Sequence, residues 1–282
     1  MNYLVAPNRL KPAAVQYAGL MIRQIEAHGD RALISVDCKE CLPSCPVWMG
    51  EMLDQAIILG GDGTILRLFH EIKDLSVPIW GVNFGHLGYL TDCEAQEAQE
   101  KLSCVLEGQA RQEQRTLLEG TIEHEGETVF RFTGLNEACV HRGALSRALS
   151  LDLRVNDSLV RSFTSDGVIA ATATGSTAYN YSAGGPILTP DSGALVLTPI
   201  CARPSDSVPL VTGGTEKICI CVHMPQEISE VGSAYLQVDG YEKYELSEGD
   251  EVRISRSERR LTMIRTSNEN FYDRLRERLS RA

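Results

Sequence analysis

The chain has 282 residues, a net charge of −11, and 43% hydrophobic against 23% charged residues. That composition suits one large or two ordinary globular domains and excludes a disordered or collagen-like chain. The acidic balance argues against nucleic acid as a partner, no apolar run approaches the ~18 residues of a membrane span, and the amino-terminal region lacks the charge and apolar pattern of a signal peptide.

Residues 2–5 are a short strand candidate. Pro12 suits the first turn of a helix in which Ala14, Tyr17, Ala18, Met21 and Ile25 recur at helical spacing, and Gly29 ends it. Residues 32–36 read as a second strand. The wholly apolar run 56–59 fits a strand buried on both faces of a parallel sheet. The segment from Gly60 to Gly63 breaks it, Ile65, Leu68, Phe69 and Ile72 return to helical period, and residues 77–82 form another strand. This alternation predicts an α/β domain with a parallel sheet.

Residues 92–106 read as one more helix. From Leu117 onward short strands dominate, with hairpin turns at Gly126 and at Asn156-Asp157 and later strands at 218–222, 235–238, 252–255 and 261–264. A mostly β domain over residues 91–265 follows, with 1–90 and 266–282 forming the α/β domain. Residues 256–282 hold eight Arg against four acids, and Phe271, Leu275 and Leu279 repeat every four residues, which predicts a final amphipathic helix.

The nine cysteines are odd in number and scattered, which fits thiols in a reducing cytoplasm better than a disulfide framework. Cys38-x2-Cys41-x3-Cys45 lacks a well-spaced fourth ligand for a closed zinc site, so no metal site is assigned. Cys219 and Cys221 alternate with Ile218, Ile220 and Val222, as in a strand.

Three segments carry chemistry. Gly60-Gly61-Asp62-Gly63-Thr64 follows an apolar strand and opens a helix. Its glycines let backbone N–H groups approach an anion, with the positive end of the helix dipole behind them. It is neither a Walker loop nor Gly-x-Gly-x-x-Gly. A carboxylate among those glycines would repel phosphate unless it takes a proton or sits beside a metal. Asn83-Phe84-Gly85-His86-Leu87-Gly88-Tyr89-Leu90 also follows a strand, where open α/β sheets bind ligands. Ser165-Asp166-Gly167 and the run from Thr172 to Pro186 offer hydroxyls, small residues and a carboxylate, suited to a polyol, ribose or amide.

With Asn136-Glu137, these motifs make the sequence resemble the NAD kinase family over nearly its whole length. The glycine loop alone is shared with diacylglycerol and sphingosine kinases, and something similar occurs in phosphofructokinases; the 172–186 segment with Asn136-Glu137 is more particular. The resemblance implies an α/β domain, a β-rich domain and a last helix that folds back on the first domain. It implies phosphoryl transfer from ATP, or from polyphosphate in some members, to the 2′-hydroxyl of the adenosine ribose of NAD. A divalent metal, usually Mg²⁺, accompanies the donor, and members are homodimers or homotetramers.

By the same resemblance Asp62 is the catalytic acid that takes the hydroxyl proton. Gly60, Gly61, Gly63 and Thr64 cradle phosphates, Tyr89 lies against the adenine, and Asn136 and Glu137 meet the ribose and pyrophosphate. Asp166 accepts from the nicotinamide amide, and Thr177, Ala178, Tyr179 and Ser182 line the adenosine and ribose. Arg67 and Arg147 are cations placed to meet phosphates. Ala173, Cys201-Ala202-Arg203-Pro204, Thr164 and Tyr241 depart from the family pattern, and Thr164 leaves the choice between NAD and NADH open. A lipid kinase sharing the glycine loop and a non-catalytic dinucleotide sensor are the rival readings.

Overall fold

A computed structural model describes the chain except residues 73, 86–87, 145–146, 224–232 and 281–282. It divides into two units, Met1–Arg115 with Arg260–Ala282, and Thr116–Arg259. The boundaries therefore differ from the 90/91 and 265/266 read from the sequence. The third helix belongs with the first unit, where it packs on the first helix, and the divisions fall inside two long strands.

In the first unit β1 (Asn2–Pro7), α1 (Pro12–Ala27), β2 (Arg31–Ile34), β3 (Gln55–Gly60), α2 (Asp62–Glu71) and β4 (Ile79–Asn83) alternate. β1 pairs β2 on one side and β3 on the other, and β3 pairs β4, every pair parallel. Each residue of β3 and of β4 is buried, as a strand covered on both faces requires. α1 buries Ala14, Ala18, Met21, Ile22 and Ile25 along one stripe, the period that aims a helix face at a sheet. Gly60 and Asn83 are register partners at the carboxyl ends of β3 and β4, so the two ligand-type loops leave the sheet side by side.

The second strand is shorter than its apolar run suggests. It ends at Ile34, and residues Val36–Cys38 form a 3-10 turn in which the Asp37 carboxylate accepts the Ser35 hydroxyl. The short β5 (Cys93–Glu94) precedes α3 (Ala95–Leu106), which starts three residues later than expected. Asp92 is instead a buried acceptor, bonded by the Trp80 indole N–H at 3.0 Å and by the Thr266 backbone N–H at 2.8 Å.

The second unit is antiparallel and holds most of β6 (Arg111–His124), then β7 (Glu127–Gly134), β8 (Glu137–Arg142), β9 (Leu149–Val155), β10 (Ser158–Ser165) and β11 (Gly167–Ala171). After the short α4 (Tyr179–Ser182) come β12 (Leu195–Ile200), β13 (Leu210–Thr212), β14 (Ile218–His223), β15 (Ala234–Val238), β16 (Glu242–Leu246) and the start of β17 (Glu251–Arg265). One sheet runs β13-β12-β11-β8-β15-β16, and β10-β9-β14-β17 form part of another. Their inner faces share a core that includes Leu118, Leu151, Val168, Ile220, Leu236 and Val252. The β6–β7 turn puts Glu125 and Gly126 at φ 50° and 84°, and the β9–β10 turn puts Asn156 and Asp157 at 49° and 65°. Two consecutive left-handed residues make the tight turn that matches strand twist.

The two strands expected at 252–255 and 261–264 are one continuous strand, β17, whose end pairs β4 at Met263 and Ile79 in the first unit. The last helix, α5 (Phe271–Ser280), buries Arg274 and leaves Leu279 exposed. Its inward point is therefore a guanidinium rather than the apolar stripe expected, because the surface it meets is a row of backbone carbonyls. No described helix is long and apolar enough to cross a membrane.

Candidate active site

In the first unit, Gly60 ends β3, Gly61 precedes α2, and Asp62 is the first residue of that helix. The half-buried Asp62 carboxylate accepts three successive backbone N–H groups: Tyr89 at 2.8 Å, Leu90 at 3.1 Å and Thr91 at 3.3 Å. A carboxylate has about four lone-pair sites, so among the described residues these three donors leave one site unused. The approach demands glycine at 88, because a β-carbon there would fall on the Asp62 carboxylate. A β-carbon on Gly61 or Gly63 would meet no described atom within 4 Å. The protein itself does not require glycine at those two positions; glycine leaves space beside the helix N-terminus, where N–H groups and the dipole favour an anion. Thr64 is buried, and its hydroxyl accepts the Gly61 N–H at 3.5 Å.

The carbonyls of the strip that holds Asp62 are themselves held. Arg265 donates to the oxygens of Leu90 at 2.9 Å, Thr91 at 3.0 Å and Tyr89 at 3.3 Å. Arg274 donates to the oxygens of Thr91 and Asp92, and Arg115 to that of Tyr89. All three arginines are buried, and Glu113 pairs with both Arg115 and Arg265. Burial, and then the neighbouring Arg265, lower the Arg115 guanidinium to about 10, so it is still a cation at neutral pH. Sequence reading missed these residues: the arginines of the tail look like a solvated face, and the signal to find them would have been Arg274 lying on the same helical face as Phe271 and Arg278.

Other first-unit candidates are differently placed. The Arg67 guanidinium bonds Asp37 at 3.0 Å and Glu71 at 2.8 Å. Tyr89 is only 7% exposed; its ring lies 6.1 Å from that of Phe271, with the Arg278 guanidinium 5.0 Å from its centre. His86 lies outside the described residues.

In the second unit, a second carboxylate is held in the same manner. Asp239, at φ 50°, accepts the N–H groups of Leu135, Asn136 and Glu137 at 2.8, 2.8 and 2.9 Å. This fixes the buried Asn136 and Glu137 at the start of β8. Burial, and then the Asp239 charge, push the Glu137 carboxyl up to about 8, so it is protonated at neutral pH. One of its oxygens is buried with no hydrogen-bond partner among the described residues.

The polar run packs on the same point. The Thr172 hydroxyl donates to the Leu135 carbonyl at 2.6 Å and accepts the Gly175 N–H at 3.1 Å. Gly175 is obligatory, since a β-carbon would strike the Asn136 backbone. Asn180 is fully buried and ties Ser176, Pro186 and Thr198 together. Around this scaffold Thr177 and Ala178 are partly buried, while Tyr179 and Ser182 are exposed. Asp166 accepts the Arg142 Nε–H at 2.6 Å, a partner the sequence reading did not name. Arg147 is exposed.

A glycine loop bearing an acid at the end of a parallel strand, and a separate antiparallel unit of fixed hydroxyls and amides, define a kinase that phosphorylates a hydroxyl group. The family profile of the ATP-NAD kinase N-terminal domain matches residues 44–110, and that of the ATP-NAD kinase C-terminal domain matches residues 135–266. The chain is 35% identical over 286 residues to the NAD kinase of Symbiobacterium thermophilum, covering 99% of each. It is 39% identical over 231 residues to that of Nitrosomonas europaea, covering 82% of this chain and 76% of that one. The chain belongs to the NAD kinase family, phosphotransferases with an alcohol group as acceptor.

Solved structures share the fold. The crystal structure of yeast NADH kinase complexed with NADH superposes with a TM-score of 0.88 at 24% identity, covering 99% of this chain and 87% of that one. An NAD kinase from Archaeoglobus fulgidus in complex with ATP gives 0.77 at 23% identity, covering all of both. The C-terminal family profile spans Asn136, Glu137 and the 172–186 run, the features for which the lipid-kinase reading has no use.

Proposed function

We propose that this chain transfers the terminal phosphoryl group of ATP to the 2′-hydroxyl of the adenosine ribose of NAD, giving NADP and ADP, with Asp62 as the base. The observation that carries this is the Asp62 carboxylate, fixed by three N–H groups with one lone-pair site left beside the open glycine positions.

As the ribose oxygen attacks the terminal phosphorus, its proton passes to Asp62 and the bond to ADP breaks, ADP leaving with the electron pair. Gly60, Gly61, Gly63 and Thr64 receive the phosphates on backbone N–H groups and the α2 N-terminus. Mg²⁺ arrives with ATP as part of the substrate. It is commonly held by one or two carboxylates together with phosphate oxygens, and Asp62 is the carboxylate of this loop. Positioning and charge stabilisation carry most of such a reaction.

Asn136 and Glu137 hold the ribose hydroxyls, Glu137 as a neutral acid able to donate. Thr177, Ala178, Tyr179 and Ser182 line the adenosine, and Asp166 takes the nicotinamide amide. The exposed Arg147 meets a phosphate, whereas Arg67 must first leave Asp37 and Glu71. Tyr89 acts through its N–H on Asp62, its ring being covered by α5. The enzyme acts as a homodimer or homotetramer in the cytoplasm, which light scattering and fractionation would test.

Asp62→Asn tests the assignment. NADP formation from MgATP and NAD should fall by ~10²–10⁴-fold while calorimetry still detects NAD binding. Near wild-type turnover would remove Asp62 from the role. Running the same assay with NADH and with polyphosphate fixes the acceptor and the donor.

A further inference from the structure

The outer face of the second unit's sheet carries an unassigned cluster. β14 turns Ile218, Ile220 and Val222 into the core, so Cys219, Cys221 and His223 lie on the opposite face. There the Cys219 and Cys221 sulfurs stand 3.8 Å apart, and a Glu251 carboxylate oxygen from β17 lies 3.7 Å from the Cys219 sulfur. Cys221 is the register partner of Glu251 on one side and of Asp152 on the other. All three ligand-type atoms lie within 4.8 Å of one another.

These spacings match one metal ion. Two thiolates on a tetrahedral zinc, each about 2.3 Å from it, are ~3.8 Å apart, and a thiolate and a carboxylate oxygen on the same ion are ~3.6 Å apart. Both cysteines are free and nearly buried, at 6% and 8% exposure, whereas the Glu251 side chain is 38% exposed, which leaves an entry from solvent. Arg253 bonds the Glu251 carboxylate at 2.5 Å, and Arg154 is the register partner of Cys219. These cations offset the negative charge of two thiolates and a carboxylate, and Arg253 orients the Glu251 ligand as outer partners of metal sites do.

We propose that Cys219, Cys221 and Glu251 form a site for a divalent zinc-class cation, with the fourth position open to solvent. Binding forms two sulfur–metal bonds and one oxygen–metal bond, and the two thiol protons leave to water. The ion clamps β14 to β17. It is separate from Mg²⁺, whose hard oxygen chemistry this sulfur pair does not serve.

The test is titration of the reduced, metal-free full chain with Co²⁺, followed by displacement with Zn²⁺. The expected result is one Co²⁺ per chain, with a thiolate-to-cobalt charge-transfer band and strong tetrahedral ligand-field bands, both lost in Cys219→Ser and Cys221→Ser. The double variant Cys41→Ser, Cys45→Ser keeps them. Glu251→Gln retains the charge-transfer band but weakens binding by roughly tenfold or more, and being a surface change it reports even if a cysteine variant misfolds. NADP formation by each variant verifies its fold, and Zn²⁺ should raise the Tm of the wild type and of the Cys41, Cys45 double variant but not of the Cys219 or Cys221 variants. No such bands in the wild type, bands unaltered in the Cys219 and Cys221 variants, or unaltered affinity in Glu251→Gln would each overturn the site.

Discussion

Asp62 and Asp239 are held alike, each by three consecutive backbone N–H groups, yet in surroundings that give them different work. Asp62 stands half-buried at a helix N-terminus beside open glycine positions, and the carbonyls of its strip are gripped by buried arginines. Asp239 is 5% exposed, and the strip it holds presents Asn136 and the neutral Glu137. The same motif thus serves once to aim an acid and once to aim the residues that the acid holds. Exposure of the carboxylate, not the nest itself, separates the acid proposed as the base from the one that is buried in its nest.

Substitutions that act on one nest and not the other sharpen this contrast. Gly88→Ala should displace the Asp62 carboxylate and lower kcat by ~10²-fold, the scale of a misplacement of about 1 Å, with NAD affinity little changed; steady-state kinetics with calorimetry would show it. Arg274→Ala removes the guanidinium from the Asp92 carbonyl and leaves that of Thr91 to Arg265; it should lower kcat about tenfold with KM nearly constant, a split that a general loss of stability would not give. Asp239→Ala leaves three buried N–H groups without their acceptor, at ~1–3 kcal/mol each. It should lower the Tm by roughly 10 °C and weaken NAD binding, whereas a fall in kcat at unchanged KM and Tm would contradict the division of labour.

The smallest effect concerns Glu137. Burial raises its pKa in the folded chain to about 8, above the ordinary carboxyl value of 4.5, so the folded state holds the proton more tightly. Its contribution to stability is full below about pH 4.5 and is lost as pH rises toward 8. Glu137→Gln should remove that slope and raise the Tm at pH 8 by a few degrees, which a scan of Tm against pH would measure.

Much of the fold was legible because parallel strands and amphipathic helices write themselves locally. The run 56–59 and the turn at Asn156-Asp157 needed no knowledge of distant residues. The acid in the glycine loop was legible for the same reason: charge among glycines after a buried strand has few purposes. What escaped depends on long-range partners. The β17 strand reads as two because polar residues interrupt its apolar period at 256–260, and the Asp239 nest joins residues about a hundred positions apart. Arg115, Arg265 and Arg274 were hidden since guanidinium groups ordinarily face water. The carbonyl row of residues 89–92, with the Glu113 carboxylate, explains their burial.

Those arginines also act as a splice between distant parts of the chain. The strip that aims Asp62 spans residues 89–92, yet two of its anchors, Arg265 and Arg274, lie 175 and 183 positions away from the carbonyls they hold. Without them the acid and the glycine loop would keep their sequence but lose two grips on their geometry, so a local reaction centre depends on the last strand and helix of its own unit.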